Sequence, residues 1–254
     1  MFTKKLHKWY AENKRSLPWR GTKDPYKVWL SEIILQQTRV EQGMSYYLKF
    51  TENFPTVKDL ANAKEDKVMK LWQGLGYYSR ARNLHAAAKQ IVNRGEAIGN
   101  RGKGMENKIS FPDSYDEIIK LKGVGPYTAA AISSICFNEA RAVVDGNVYR
   151  FLARLHGIKT PIDSTGGKKE FQLLANELLD KKNAGEHNQA MMEFGARHCK
   201  PQNPLCETCP FVETCFAARK NAVNSFPVKD KKTKVRTRHF EYFVFDVKGK
   251  TFLK

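Results

Sequence analysis

Four of the five cysteines lie in one short segment, CKPQNPLCETCPFVETC, which spans residues 199–215. Their spacing is C-x6-C-x2-C-x5-C, with prolines stiffening the turns between them. Four thiolates on so short a segment can hold either a tetrahedral zinc ion or a cubane iron–sulfur cluster, because both take four sulfur ligands. The spacing alone does not choose between the two. The predicted ligands are Cys199, Cys206, Cys209 and Cys215.

Two neighbouring residues are set apart from this cluster. Cys136 lies in an apolar helical stretch, AAAISSICF, where a small buried hydrophobic side chain is the expected role. His198 directly precedes the first ligand, but a fifth ligand would be superfluous, so we expect it to be incidental.

The charge of the chain indicates a polyanionic partner. There are 44 Lys and Arg against 26 Asp and Glu, for a formal charge of +18 in 254 residues. Nucleic acid is the first expectation and an anionic membrane surface the second. No run reaches the roughly 18 apolar residues of a spanning helix, and the N-terminus lacks the apolar core of a signal peptide. The chain is therefore expected to be intracellular, where clustered cysteines are metal ligands more often than disulfides.

Helical periodicity dominates from about Asp24 to Arg219, so the predicted fold class is mainly α. Asp24-Pro25 is a cap with a first-turn proline and opens one long helical pattern over residues 25–50. The Gly-, Asn- and Lys-rich segment from Arg94 to Pro112 is predicted to be a mobile loop. Further helices are predicted at 57–63, 65–73, 79–94, 114–122, 126–137, 146–157, 168–182 and 187–199.

A second break begins near Phe226. Residues 226–238 form a charge-dense basic linker, and HFEYFVFDVKGKTFLK at 239–254 alternates like a single hairpin. A lone hairpin is marginal by itself. This stretch is interpreted as the start of a β domain that the chain does not complete.

A glycine loop is suited to binding phosphate. In LKGVGPYTAAA, Gly123 and Gly125 lie between two helical patterns, with Pro126 at the first turn of the second. Glycines let backbone N–H groups face outward, and the dipole of the following helix favours an anion there. An ordinary tight turn is the alternative, but the cationic chain favours a helix-hairpin-helix contact with a nucleic-acid backbone.

Two carboxylates lie in unusual surroundings. Glu32 has apolar helical neighbours at Val28, Trp29 and Leu35, which should raise its pKa and make it a candidate general acid. The alternative is a carboxylate that reaches solvent past these neighbours. Asp145 precedes a helix, and its plain role is an N-cap. A carboxylate held by helix N–H groups also stays ionised and can stabilise positive charge.

Together these segments resemble a known family. LPWR (17–20), PYKVWLSEIILQQTRV (25–40), FPTVKDLANA (54–63), LWQGLGYYSRARNLHAAA (71–88), LKGVGPYTAAA, VVDGNVYRFLARL, NQAMMEFGA (188–196) and the four cysteines stand in the order and spacing of the adenine-specific mismatch DNA glycosylases, the MutY family. That family belongs to the endonuclease III superfamily of helix-hairpin-helix glycosylases. The resemblance covers roughly residues 6–225.

The resemblance implies a fold and a cofactor. It predicts two helical lobes with a DNA-binding cleft between them, in a glycosylase domain over residues 1–225. One lobe is a six-helix barrel with the hairpin (about 21–133), and the other is an iron–sulfur lobe (about 1–20 plus 134–225). The cysteine spacing resembles the family's [4Fe-4S] loop. Residues 239–254 then correspond to the start of an incomplete Nudix-like domain, which leaves the preference for 8-oxoguanine open.

The resemblance also implies catalytic roles. Glu32 matches the acid that protonates adenine N7, and Asp145 matches the carboxylate that stabilises the oxocarbenium character of the sugar. By analogy with retaining glycosidases, the two carboxyl groups should face each other at roughly 5 to 5.5 Å, or somewhat more if water intervenes. Tyr127 fills the place of the lysine nucleophile of bifunctional enzymes, so strand cleavage should be weak.

The predicted partner is double-stranded DNA with adenine opposite 8-oxoguanine or guanine, and no membrane. The target nucleotide must be flipped out of the duplex. We expect a monomeric, cytoplasmic, nucleoid-associated bacterial protein. Tyr77 and Gln36 correspond to the family's wedge and intercalating residues, and Gln37 beside them is a further candidate. The predicted phosphate contacts come from Arg80, Arg82, Lys122, Gly123 and Gly125.

Two other functions remain open from the sequence. One is a thymine-mismatch or endonuclease III-like glycosylase of the same superfamily, since a tyrosine at the Tyr127 position also occurs among thymine-mismatch enzymes. The other is a non-catalytic DNA-binding or redox-sensing iron–sulfur protein. The E-x-x-L-Q-Q-T stretch favours adenine, and the intact Glu32 and Asp145 favour an enzyme.

Overall fold

The computed structural model describes residues 1–99 and 111–230, together with residues 237, 239, 241, 245–247, 250 and 251. This part is mainly helical, as predicted. None of its helices is long and apolar enough to cross a membrane. Its helices are α1 (Phe2–Asn13), α2 (Pro25–Leu35), α3 (Val40–Asn53), α4 (Val57–Asn62), α5 (Glu65–Trp72), α6 (Ser79–Gly99), α7 (Tyr115–Ile118), α8 (Pro126–Phe137), α9 (Gly146–His156), α10 (Thr165–Leu178), α11 (Ala184–Arg197) and α12 (Phe216–Arg219).

The long helix predicted over residues 25–50 is wrong, because the chain breaks between α2 and α3. Gln37 takes a left-handed backbone conformation with φ of 56°. A non-glycine residue adopts that conformation rarely and cannot continue a right-handed helix there. The apolar periodicity runs through the break, so the pattern gave no sign of it. The helix start was correct, since the Asp24 side chain accepts from Tyr26 N and Pro25 is the first helical residue.

The loop predicted from Arg94 begins too early. Helix α6 continues to Gly99, because Glu96, Ala97 and Ile98 are compatible with a helix and no proline interrupts them. Residues 100–110 of the predicted loop lie outside the described residues. Helix α1 was not predicted at all, although Leu6, Trp9 and Tyr10 form its buried face.

Two hydrophobic cores organise the described helices. The first contains side chains from α2 to α8, including Trp29, Phe50 and Trp72. The second is built from α1, α9, α10 and α11, including Phe171 and Phe194. Leu17 and Trp19 pack in the first core, although the predicted boundary near residue 20 places them with the second lobe. The chain therefore enters the first lobe a few residues earlier than the prediction has it.

Helix α8 joins the two lobes. It packs against α2 on one side and α11 on the other. The approach of α11 is close, because a Cβ at Gly185 would lie 2.6 Å from the Ser134 carbonyl oxygen. Such a contact fixes the two helices in register and leaves room only for glycine. The lobes are thus held at a defined separation, and side chains from both reach the space between them.

Near the end of the chain, β1 (Asp246–Val247) and β2 (Lys250–Thr251) pair in antiparallel fashion. Asp246 lies opposite Thr251, and Val247 lies opposite Lys250. The pair falls inside the segment predicted to form a hairpin. The assignment of residues 239–254 to a Nudix-like domain stays a prediction.

Candidate active site

A cavity of about 780 Å³ lies between the two lobes. Glu32 comes to it from α2, Tyr127 from α8, and Asp145 from the turn before α9. The segment 15–20 and helix α11 complete the wall with Arg15, Trp19, Arg20, Gln189, Met192 and Glu193. The three residues predicted to be catalytic, which are far apart in the sequence, therefore line one cavity.

Glu32 is held as a protonatable acid. It is half-buried on α2, where Val28 and Trp29 one turn earlier are buried. Burial raises the pKa of Glu32 to about 7, hydrogen bonding with Tyr127 opposes this rise, and the negative charge of Asp145 adds to it. An uncharged carboxyl near neutral pH can donate a proton, as a general acid must. The predicted rise of the pKa is confirmed, and its main cause is the desolvation that the apolar neighbours indicated.

Asp145 is held as a hydrogen-bond acceptor at the start of α9. One carboxylate oxygen accepts from Asn147 N at 2.9 Å and Val148 N at 2.8 Å, and the other accepts from Asn147 Nδ2 at 2.7 Å. The predicted N-cap is confirmed. Burial raises the pKa of Asp145 above its ordinary value, while the Val148 and Asn147 donors lower it. These three donors favour the charged form, so of the two carboxyl groups Asp145 is the better suited to stay ionised.

The phenol of Tyr127 is affected by the charges of both carboxyl groups. Burial raises the pKa of Tyr127 well above its usual value, and the charges of Glu32 and Asp145 raise it further, so the phenol stays neutral. Its hydroxyl has one proton, which it can donate to Met192 Sδ at 3.3 Å or to the Glu32 carboxylate. A phenol is not an amine, so it cannot form a Schiff base.

A buried charge cluster was missed by the sequence reasoning. Glu193 on α11 is fully buried, and its carboxylate binds Arg15 and Arg20, each at 2.7 Å. Burial works against this charge, but the two arginines lower the pKa of Glu193 to about 2. The cluster lines the cavity with fixed charge and ties α11 to the segment 15–20. A glutamate within the apolar run NQAMMEFGA was the available signal.

The residues predicted to fill the gap left by the flipped nucleotide lie on two turns. Gln36 lines the cavity, and its amide donates to Thr128 Oγ1 at 3.4 Å. Gln37 is exposed, and Tyr77 is 67% exposed. Gln37 and Tyr77 both have positive φ, at 56° and 45°. Such conformations cost of order 1–3 kcal/mol each and cluster at functional sites.

Arg80 is not free for the phosphate contact predicted for it. Its guanidinium donates to the carbonyls of Ile33, Ile34 and Gln36 on one side, and of Leu75 and Gly76 on the other. It also lies 5.7 Å from the Tyr77 ring centroid. Arg80 thus joins the two turns that carry Gln37 and Tyr77. These internal acceptors explain the difference from the prediction, because a guanidinium so engaged has little capacity left for phosphate.

The predicted phosphate loop forms a tight turn between α7 and α8. Gly123 has φ of 77°, and a Cβ there would lie 2.6 Å from Asn83 Cβ. Gly125 is the N-cap of α8, and Pro126 is the first residue of that helix. Among the described residues, no protein acceptor takes the N–H of either glycine. Lys122 beside the turn and Arg82 on α6 are exposed. The loop therefore presents two free amides and nearby cations to solvent, as an anion site requires.

The four clustered cysteines surround a second cavity, beneath α9. None is in a disulfide, and Phe151, Phe194 and Phe211 form the apolar wall behind them. Arg154 donates to Cys199 Sγ at 3.5 Å, and Cys215 Sγ donates to the Arg154 carbonyl at 3.3 Å. In the described ranges, no group of three or more His, Cys, Asp or Glu is placed to hold a metal ion. Four thiols that line one apolar cavity supply the donor set of either a tetrahedral zinc ion or an iron–sulfur cluster.

Cys136 is half-buried beside the first core, and burial raises the pKa of its thiol to about 12. It therefore stays a neutral thiol, in keeping with the packing role predicted for it.

Comparison with known proteins agrees with this geometry. Residues 30–177, more than half of the chain, match the HhH-GPD superfamily of base excision DNA repair proteins. The chain is 40% identical to adenine DNA glycosylase of Homo sapiens over 227 residues, or 86% of this chain and 40% of that protein. It is 38% identical to adenine DNA glycosylase of Buchnera aphidicola subsp. Acyrthosiphon pisum, over 92% of this chain and 64% of that protein. The chain thus spans between two fifths and two thirds of the length of these relatives.

Solved structures show the same fold. A thermostable thymine-DNA glycosylase matches with a TM-score of 0.74 and 27% identity, covering 86% of this chain and 95% of that chain. Endonuclease III in a non-covalent DNA complex matches with a TM-score of 0.68 and 21% identity, over 87% of this chain and 94% of that chain. With its two helical lobes and a glycine turn between helices, the chain belongs to the HhH-GPD superfamily of base excision DNA repair proteins.

Proposed function

We propose that this chain is the catalytic part of a DNA glycosylase that removes adenine paired with 8-oxoguanine or guanine in double-stranded DNA. One observation carries the proposal. The two lobes bring a carboxyl group with a pKa of about 7, Glu32, and a carboxylate held by three N–H donors, Asp145, to the same cavity. Pairs of carboxyl groups in such different environments divide acid and charge-stabilising roles.

In the proposed reaction, Glu32 transfers its proton to N7 of the adenine. The electrons of the bond between the sugar and the base then move to the protonated ring, so adenine leaves as a neutral molecule. Positive charge develops on the sugar, where Asp145 stabilises it, and water adds to C1′ to complete hydrolysis. The Glu32 carboxylate is restored to the acid by a proton from solvent.

Adenine reaches Glu32 only outside the base stack, at a cost of a few kcal/mol for flipping. The cavity of about 780 Å³ accommodates a nucleoside. Gln37 and Tyr77, which project from strained turns, are proposed to enter the duplex and fill the gap, with Gln36 at the cavity rim. Arg82, Lys122 and the free amides of the glycine turn are proposed to bind phosphates.

Because Tyr127 is a neutral phenol and not an amine, the reaction is proposed to end once the base is released. No Schiff base forms without an amine, so the product is proposed to be an intact strand with an abasic site. Alkali should therefore be needed to break the strand.

We further propose that Cys199, Cys206, Cys209 and Cys215 hold a [4Fe-4S] cluster. Support comes from four free thiols around one apolar cavity and from their spacing, which resembles the iron–sulfur loop of the MutY family. When bound, the cluster would join the four cysteines and so cross-link the segment 199–215. Iron and sulfide analysis together with visible absorbance tests this, and zinc without iron would contradict it.

Base release from three duplexes tests the proposal, with adenine opposite 8-oxoguanine, adenine opposite guanine and thymine opposite guanine. Free base is measured before alkali, and strand breaks after it. We expect adenine release from the first two, lost in Glu32→Gln and kept in Glu12→Gln, a control on the exposed face of α1. Release of thymine alone would favour a function like that of the structural neighbour named a thymine-DNA glycosylase. Full activity in Glu32→Gln would contradict the acid role.

A further inference from the structure

His198, which the sequence predicts to be incidental, lines the cavity that the four cysteines surround. It is 6% exposed and directly precedes Cys199. Its ring stacks on Phe194 with centroids 4.9 Å apart, and it meets the edge of Trp9 at 5.7 Å. The imidazole is therefore held in one orientation by two buried aromatic rings.

A hydrogen bond from Trp9 determines which nitrogen of His198 carries the proton. The Trp9 indole Nε1–H donates to His198 Nδ1 at 3.2 Å. An indole nitrogen only donates, so Nδ1 has to be the unprotonated acceptor. A doubly protonated ring has no acceptor and is excluded by this contact. The ring is neutral with its proton on Nε2.

That Nε2–H group has no hydrogen-bond partner in the described part of the chain, and it is buried. Leaving a buried donor unpaired costs about 1–3 kcal/mol. The residue lines the same cavity as the four cysteines, so an acceptor inside the cavity would satisfy it. The cavity already contains one such contact, since Arg154 donates to Cys199 Sγ at 3.5 Å.

The competing acceptor is the backbone of Leu205. Leu205 N donates to the His198 carbonyl at 3.0 Å, which places the two residues side by side. Burial lowers the pKa of His198, and the Leu205 backbone raises it to a smaller extent. No contact between Nε2 and that backbone has hydrogen-bond geometry.

We propose that His198 donates its Nε2–H to a sulfur atom of the cluster held by the four cysteines, and that this hydrogen bond raises the reduction potential of the cluster. The proposal rests on the assignment of a [4Fe-4S] cluster made above. Reduction adds negative charge to the cluster sulfurs, so a fixed N–H donor stabilises the reduced form more than the oxidised form. His198 is thus a tuning residue and not a ligand.

The test compares holoproteins that carry equal iron and sulfide. His198→Phe keeps the stacked ring and removes the donor, while His198→Gln retains an N–H group. We expect the midpoint potential of the cluster, measured by voltammetry, to be lower in His198→Phe, by the amount that corresponds to a tenfold smaller equilibrium constant for reduction. That change is about 59 mV for one electron. His198→Gln should recover part of the fall. Equal potentials in all three proteins would overturn the proposal, because a role confined to packing or to Leu205 does not move the potential.

A second measurement needs no variant. ¹⁵N NMR of the histidine ring in the wild-type holoprotein should show Nε2 protonated and Nδ1 unprotonated. The opposite tautomer would overturn the proposal even if His198→Phe fails to assemble its cluster.

Adenine release separates this inference from the proposed function. His198→Phe should release adenine at the wild-type rate when its cluster content is equal. Unchanged potentials with normal adenine release would overturn the role of His198 alone. A shifted potential in a protein that releases no adenine would support His198 and overturn the glycosylase assignment.

Discussion

Replacing Glu32 with glutamine should stabilise the protein while abolishing its chemistry. The pKa of Glu32 is about 7 in the folded chain, against an ordinary value of 4.5. Well below pH 4.5 the carboxyl is protonated in both states, and it costs nothing. Between pH 4.5 and 7 the unfolded chain loses its proton first, so the free energy of unfolding falls as pH rises. Integrated with 1.36 kcal/mol per pKa unit, the cost is about 1 kcal/mol at pH 5.5 and about 3 kcal/mol at pH 8.

Glutamine has the same shape and never ionises, so Glu32→Gln escapes this cost. Thermal unfolding of the two holoproteins should show an advantage for the variant that grows with pH, reaching about 6–12 °C at pH 8 for a domain of this size. Glu12→Gln, on the exposed face of α1, should show no such trend. An advantage that is absent at pH 8, or that does not change between pH 5.5 and pH 8, would refute the reasoning that burial suppresses the charge of Glu32.

Three further predictions concern Arg80, the glycine turn at residues 123–125 and the buried carboxylate of Glu193. Arg80→Lys should lower adenine release about tenfold without weakening duplex binding, because a single ammonium cannot bind the carbonyls of both the Gln37 turn and the Tyr77 turn. As a contrast, Lys122→Gln should weaken binding to every duplex and reduce the slope of log affinity against log salt concentration by about one. Gly123→Ala should lower the unfolding temperature, since its Cβ would meet Asn83. Gly125→Ala should fold normally, since its Cβ points into open space, but it should lose duplex affinity because that space is where the phosphate is proposed to bind. Glu193→Gln should cost roughly 3 kcal/mol of stability in a urea titration, because two arginines lose their buried counter-charge.

Much of the helical architecture could be predicted from periodicity and end signals. Helix α8 was predicted with its observed bounds, because a glycine turn, a first-turn proline and an unbroken apolar run all agree. The break after α2 could not be predicted in this way. It depends on the left-handed backbone of Gln37 and on carbonyls held by Arg80, which comes more than 40 residues later. Local pattern carries no information about such a long-range contact.

The candidate site was predictable where a residue type conflicts with its surroundings. Glu32 stands in an apolar helix face, and Asp145 stands where a helix begins, so both stand out in the sequence alone. Arg15 and Arg20 do not, because a cationic chain has many arginines. Only the fold shows that these two converge on the buried carboxylate of Glu193. The same holds for His198, since only packing shows that it lines the cysteine cavity and that its Nε2 is buried without a partner in the described residues.

The pH dependence of base release tests the central claim most directly, namely that a shielded Glu32 supplies the proton. Single-turnover release from a duplex with adenine opposite 8-oxoguanine should be constant below pH 6 and fall above about pH 7, approaching tenfold per pH unit. In Tyr127→Phe the fall should begin at a higher pH, because hydrogen bonding with Tyr127 lowers the pKa of Glu32. A rate that does not change between pH 6 and pH 8.5 would contradict the account, as would a profile that Tyr127→Phe leaves in place.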